Sequence, residues 1–254
     1  WANLCGTVGC LDRFYAHLTF TANLGTAWRS PHVNELFSDG LHHGTASVEI
    51  GDPNLVPEQA FNFITGLKYS GHDRITAEVN AYHNYILNFI QAQPQLPPTL
   101  SIRGAFPTGG DFKFGYSVFD PLYLEVFGSI VRAENLDENE PLILMPPDRF
   151  GGKVRWDIGS GNLFRNPYIE IQYAYTREQT RVPEGQDYLD PPPAFGLVGG
   201  NAGTQFISEG GRLLDIGVSV SNALNIAYRN YLNRFRYYAD EMGRNVTFRV
   251  KYNF

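Results

Sequence analysis

Residues Ile75–Phe89 read ITAEVNAYHNYILNF. The odd positions carry Ile75, Ala77, Val79, Ala81, Tyr85, Leu87 and Phe89, and the even ones Thr76, Glu78, Asn80, Asn84 and Asn88. Successive side chains of a strand point to opposite faces, so this stretch is a strand with one apolar and one polar face. Extended to its flanks near 74–91 it runs about 17 residues, long for a globular strand.

The same period of two recurs along the chain. Val246, Phe248, Val250 and Tyr252 alternate with Asn245, Thr247, Arg249 and Lys251. Leu18, Phe20, Ala22 and Leu24 alternate with Thr19, Thr21 and Asn23, and Ile169, Ile171, Tyr173 and Tyr175 with Glu170 and Gln172. The pattern predicts ten strands, near 14–28, 58–70, 74–91, 111–119, 122–134, 149–159, 163–176, 194–206, 211–221 and 244–254. Long connections (29–57, 92–110, 135–148, 177–193, 222–243) alternate with short ones at Gly71-His72-Asp73, Asp120-Pro121, Ser160-Gly161-Asn162 and Ile207 to Gly210. An up-and-down membrane barrel needs this asymmetry, with tight turns on one side and large loops on the other. The predicted fold class is therefore all-β, an antiparallel up-and-down transmembrane barrel segment of about ten strands.

In hydrocarbon every backbone N–H and C=O must be paired within the protein, which only helices and closed barrels achieve. No apolar run approaches the roughly 18 residues of a transmembrane helix, whereas the predicted strands meet the spanning length. Tyr69, Tyr82, Tyr85, Phe89, Tyr168, Tyr173, Tyr175, Tyr252 and Phe254 lie near strand ends, as interfacial girdles do. The bland alternative is that they fill the core of a soluble sandwich. A net charge of −6 argues against nucleic acid as a partner. Cys5 and Cys10 are spaced for a small disulfide or are two incidental thiols.

Four stretches resemble TonB-dependent receptors, especially those of the Bacteroidetes type. The first runs from Trp28-Arg29-Ser30-Pro31 through Asn34-Glu35-Leu36-Phe37 and Asp39-Gly40-Leu41-His42-His43-Gly44-Thr45 to Glu49-Ile50-Gly51-Asp52-Pro53-Asn54-Leu55 and Pro57-Glu58. The second is Val131–Leu136 with Met145-Pro146-Pro147-Asp148-Arg149-Phe150, and the third Arg181-Val182-Pro183-Glu184 with Asp187-Tyr188 and Pro191-Pro192-Pro193. The fourth extends from Val220-Ser221-Asn222-Ala223-Leu224-Asn225 through Tyr228-Arg229 and Asn233–Tyr237 to Glu241–Asn245 and Phe254. The resemblance implies the C-terminal part of a barrel of roughly 22 strands with a plugged lumen. The family's N-terminal plug and the first strands are expected outside residues 1–254, since Trp1 opens the chain as an internal fragment would. It also implies the cell outer membrane, with its lipid and lipopolysaccharide, as surroundings. A TonB–ExbB–ExbD complex would act through the plug. The solute would be an iron chelate (siderophore), a metal or haem, with no resident cofactor.

His32, His42, His43, Glu49 and Asp52 fall in the largest predicted outer loop. Imidazole with carboxylate suits Zn²⁺, Cu²⁺ or an iron chelate, with His42 and His43 as the metal ligands. Zinc-uptake members resemble this region, and the same positions also belong to the general family motif, where they organise the loop. Arg234 and Arg236, with Arg229 and Arg244, form a basic group in the last loop beside Asp240 and Glu241. It suits an anionic ferric chelate or bridging within the loop. Nothing marks catalysis: Gly159-Ser160-Gly161 is a truncated nucleophile-elbow pattern, and no phosphate-cradling loop is present. Two other classes stay open, a passive pore or adhesin closed by ten strands, and a soluble β-rich binding domain.

Overall fold

Period-two stretches become strands that each pair with the next in the computed structural model, which describes residues 5–15, 17–42, 47–71, 74–92, 99–161, 163–207 and 213–253. The chain opens with β1 (Gly6–Tyr15) and β2 (Leu18–Arg29). A short helix α1 (Val33–Phe37) and a small hairpin β3 (Asp39–His42) and β4 (Ser47–Ile50) follow. Then come β5 (Glu58–Gly71), β6 (Ile75–Ala92), β7 (Thr99–Ala105), β8 (Thr108–Phe119) and β9 (Leu122–Arg132). Two-residue strands β10 (Glu134–Asn135) and β11 (Glu140–Pro141) precede β12 (Arg149–Asp157). The chain continues with β13 (Phe164–Thr176), β14 (Phe195–Ile207), β15 (Leu213–Ser221) and β16 (Asn245–Asn253). Eleven of these form one unbroken antiparallel path, β1-β2-β5-β6-β8-β9-β12-β13-β14-β15-β16.

Register carries the alternation across the whole sheet. Ile75, Tyr116, Leu124, Val154, Ile171, Gly200, Val220 and Val246 are successive cross-strand partners on the apolar face. On the polar face, Ser117, Tyr123, Arg155, Glu170, Asn201, Ser219 and Thr247 form such a row. Ile75 lies at the short-turn end of β6 and Val246 at the long-loop end of β16. The rows therefore climb across the sheet, the stagger of tilted barrel strands. In hydrocarbon the apolar face must be the outer one, because charge on it would be unpaired. The polar face lines the lumen, where Lys153 bridges Glu125 (3.2 Å) and Glu170 (4.0 Å).

Three expectations are corrected. The predicted strand at 14–28 takes in the last two residues of β1 and most of β2, and β1 makes the path eleven strands, not ten. Thr7 and Gly9 lie on the lumenal face and Val8 and Cys10 on the outer one, but Leu11 and Asp12 reverse the pattern, which hides β1 from a periodicity reading. The fourth predicted strand begins at Thr108, three residues before position 111. Of the predicted girdle, Tyr82 and Tyr168 stand on the lumenal face. Each ring covers a glycine of the next strand, Gly109 and Gly203, where a Cβ would meet the tyrosine within 3.0 Å. Phe254, His72, Asp73 and Asn162 lie outside the described residues.

The packed core lies above the wall, at the long-loop end. Ala105, Ala133, Leu142, Ile143 and Tyr231 are buried there, with Ile86, Phe89 and Met145 packed around Ala105, Ala133 and Leu142. Strand residues on the outer face are exposed instead, Phe248 by 79%.

Candidate functional site

The described residues of the long loops brace one another into a cap at that end of the sheet. At the top of β2, Arg29 donates from Nε to Glu58 (2.7 Å) and from Nη1 to both Glu35 oxygens (2.8 and 3.0 Å). Glu35 also accepts from the His32 backbone N–H (2.7 Å), fixing the start of α1. Burial opposes ionisation of Glu35, but these bonds outweigh it and hold its carboxyl below the usual range. The Asp52 backbone N–H donates to the Glu35 carbonyl (2.9 Å). A Cβ on the neighbouring Gly51 would strike α1 backbone atoms at 2.6–2.7 Å. The Arg29, Glu35, Gly51 and Glu58 of the first motif are thus parts of one brace, a role that residue types alone do not reveal.

The last loop is locked differently. Arg236 is 3% exposed. Its guanidinium lies over the rings of Tyr231 (4.6 Å) and Tyr237 (4.5 Å) and pairs with Asp187 of the preceding outer loop. Tyr237 donates its hydroxyl to Asp187 (2.6 Å). Burial, with that bond second, raises the Tyr237 phenol above its ordinary value, so it stays a donor at neutral pH. The Tyr231 hydroxyl accepts from the N–H of Leu144 (3.4 Å), a residue held at φ 60°. A leucine in the left-handed region is strained, and the packed cap around it holds it there. Asn222, also left-handed, exchanges two hydrogen bonds with the Ile226 backbone (2.8 and 3.0 Å). Gln179 donates to the Met145 carbonyl (2.8 Å), tying the β13–β14 loop to the β9–β12 loop.

Arg236 is the buried lock just described. His32 lies at the start of α1, and the Asp52 carboxylate accepts from the backbone and side chain of Asn54 (2.8 and 3.0 Å), an Asx turn. Glu49 and Arg234, from the first and last outer loops, meet at 4.0 Å. His42 lies on β3, whose side chain there is outside the described residues, as is His43 altogether. Among the described residues no three His, Cys, Asp or Glu side chains gather as a metal site. Arg229 pairs with Asp240 (2.6 Å).

The cap keeps open space beside the lock. A cavity of about 400 Å³ is lined by Pro191–Pro193, Phe195, Tyr228, Arg229 and Asp240. Phe195 and Tyr228 pack at 4.6 Å between ring centroids and give it an aromatic wall, while the Arg229–Asp240 pair gives it a polar rim. Exposed Phe235, Tyr238 and Leu232 continue the apolar surface. Aromatic walls with a few placed charges suit a medium-sized ligand carrying both flat and polar parts. The sequence signal available was the Pro191–Pro193 run; the contribution of Phe195 was not legible.

Comparison with known proteins places this architecture. Solved structures share the fold across nearly the whole chain. The "Copper transporter OprC" superposes with a TM-score of 0.80 at 19% identity, over 98% of this chain and 39% of its own. The FrpB iron transporter from Neisseria meningitidis (F5-1 variant) gives 0.72 at 16% identity, over 98% and 39%. The siderophore receptor PirA from Acinetobacter baumannii gives 0.67 at 14% identity, over 97% and 40%. The chain thus spans about two fifths of the length of these structures. No curated protein sequence matches it. The model of the family described as "TonB dependent receptor-like, beta-barrel" matches residues 12–223, and the chain belongs to that family.

Proposed function

We propose that this chain is the wall and outer-loop cap of an outer-membrane receptor that takes up a scarce solute, an iron chelate first and a bare metal or haem next, driven by a TonB–ExbB–ExbD complex through a plug. The observation that carries this reading is the pairing of an apolar outer face with a braced cap that bears an open, aromatic, charge-rimmed cavity. A sheet of this kind belongs in a bilayer, and such a cap is a binding surface. The proteins that share the fold are described as a copper transporter, an iron transporter and a siderophore receptor. The part-exposed Glu49–Arg234 contact and the Phe195–Tyr228 cavity are the proposed solute contacts.

The open sheet favours a larger barrel over a small closed pore. β1 and β16 both run toward the short-turn side, so closing the eleven strands on themselves would need a parallel pair. Single-chain bacterial barrels close antiparallel, on even strand numbers. Further strands, expected to bring the total to about 22, would cover both edges, which hydrocarbon does not tolerate unpaired.

The test is uptake by the full receptor in cells lacking it, with radiolabelled ferric siderophores, haem, Zn²⁺ and Cu²⁺ offered separately, and with the TonB complex intact or deleted. Uptake of a ferric chelate that requires both receptor and TonB supports the proposal. Receptor-dependent flux that persists without TonB indicates a passive pore and overturns it.

A further inference from the structure

Besides Asp12 on β1, the outer face carries a basic group that hydrocarbon does not explain. On the eleven strands of the main path, the described lysines and arginines stand on the lumenal face, except Arg132. By register, His83, Thr108 and Arg132 follow Val8, Leu24 and Phe63 on the outer face, at the long-loop end of β9. Arg177, one residue past the end of β13, follows Tyr173 and Tyr175 on the same side.

These arginines are organised by a buried carboxylate. Asp148, just before β12, is 8% exposed at its side chain. It accepts from Arg132 Nη1 (2.5 Å) and Nη2 (2.9 Å) and from Arg177 Nη1 (3.4 Å). The Arg177 backbone N–H also donates to the Asp148 carbonyl (2.9 Å). Arg181, further along the same loop, pairs with Glu134 of β10 at 3.1 Å. Three guanidiniums against two carboxylates leave one net positive charge. Arg177 and Arg181 are the more exposed, 60% and 39% at their side chains. Each has five N–H donors and makes one of these bonds, so most of its donors remain for a ligand.

Immediately below lies the lipid-facing wall, with Ile130, Tyr173 and Tyr175 exposed. Aromatic residues under basic ones are the chemistry of a membrane interface, where rings sit at headgroup depth and cations meet phosphate. The planar fork of arginine matches phosphate oxygens. We propose that Arg132 and Arg177, set by Asp148, together with Arg181, held by Glu134, bind the phosphorylated headgroup of an outer-leaflet glycolipid whose acyl chains lie on the wall beneath. The site rests on the reading of this sheet as an outer-membrane wall and is independent of which solute the cap takes.

The test is native mass spectrometry of the full receptor extracted in detergent, with bis-phosphorylated lipid A, dephosphorylated lipid A or inorganic phosphate added. Arg132 is left intact because it satisfies buried Asp148. The R177A/R181A variant should lose lipid A retention by about thirtyfold, from two interfacial cations, with wild-type barrel content by circular dichroism. R177K/R181K should recover part of it, and dephosphorylated lipid A should bind as weakly as the alanine variant binds lipid A. Equal retention of the two lipids, wild-type retention by the alanine variant, or displacement of lipid A by equimolar inorganic phosphate would each overturn the proposal. Because this readout needs no transport, it can fail while TonB-dependent uptake stands, and the reverse.

Discussion

In the wall, Phe248 is 79% exposed and Val250 67%; in the cap, Leu142 and Tyr231 are 2–3% exposed. The wall is built from a repeating cross-strand ladder whose apolar side chains await a solvent of lipid. The cap is built as a small globular core, with buried ion pairs, left-handed asparagines and a strained leucine. Backbone pairing holds the first and resists local change. Single side-chain locks hold the second, so one substitution can open it. A receptor needs both, a wall that never leaks and loops whose arrangement responds to a ligand.

The largest expected effect separates the two regions at the buried lock. Arg236→Ala leaves Asp187 buried without its cation, a loss of about 3–5 kcal/mol. The β13–β14 and β15–β16 loops should become protease-sensitive at sites between 177 and 193, while the thermal transition of the sheet stays put. A joint fall of both would mean that wall and cap are one cooperative unit.

Next comes the wall's own asymmetry. Ile171→Arg on the outer face should destabilise the folded barrel in lipid by about 2–4 kcal/mol. The neighbouring Gln172→Arg, facing the lumen, should change it little. Equal losses in urea unfolding from vesicles would contradict the assignment of faces.

The Arg29 brace is partly exposed, so its effect is smaller. Arg29→Ala should loosen the 30–57 loop by about 1–2 kcal/mol, read as faster hydrogen exchange in α1 with β2 and β5 unchanged. The smallest effect is a dependence on pH. Hydrogen bonds from Arg132, opposed by burial, hold Asp148 below the usual carboxylate range, and Glu35 is lowered as well. A carboxylate lowered on folding stabilises above its ordinary value of about 4 and loses that contribution as pH falls through the folded value. Proteolysis of the cap should therefore be flat from pH 8 to 5 and rise only in stronger acid.

Sequence periodicity made most of the wall legible, because a strand between lipid and lumen must alternate. It failed where alternation fails: β1 carries Leu11 inward and Asp12 outward, and Tyr82 and Tyr168 fill the space over Gly109 and Gly203 from the lumenal side. The cap was legible as motif but not as mechanism. Arg29, Glu35 and Glu58 stood in a recognisable stretch, yet the contacts that join them depend on how the loop folds back. The partnership of Asp187 with Arg236 spans 49 positions and leaves no local trace. Arg132 and Asp148 likewise stood in a recognisable stretch, but their pairing and the face they occupy came only from the register of the sheet.

The account's central claim is the assignment of lipid to one face and lumen to the other. The direct measurement is spin-label accessibility at single cysteines placed along β13, from Ile169 to Tyr175, in the full receptor reconstituted in vesicles. The account predicts that labels at Ile169, Ile171, Tyr173 and Tyr175 collide with oxygen and those at Glu170, Gln172 and Ala174 do not share that exposure. A uniform profile, or one of opposite phase, would contradict it.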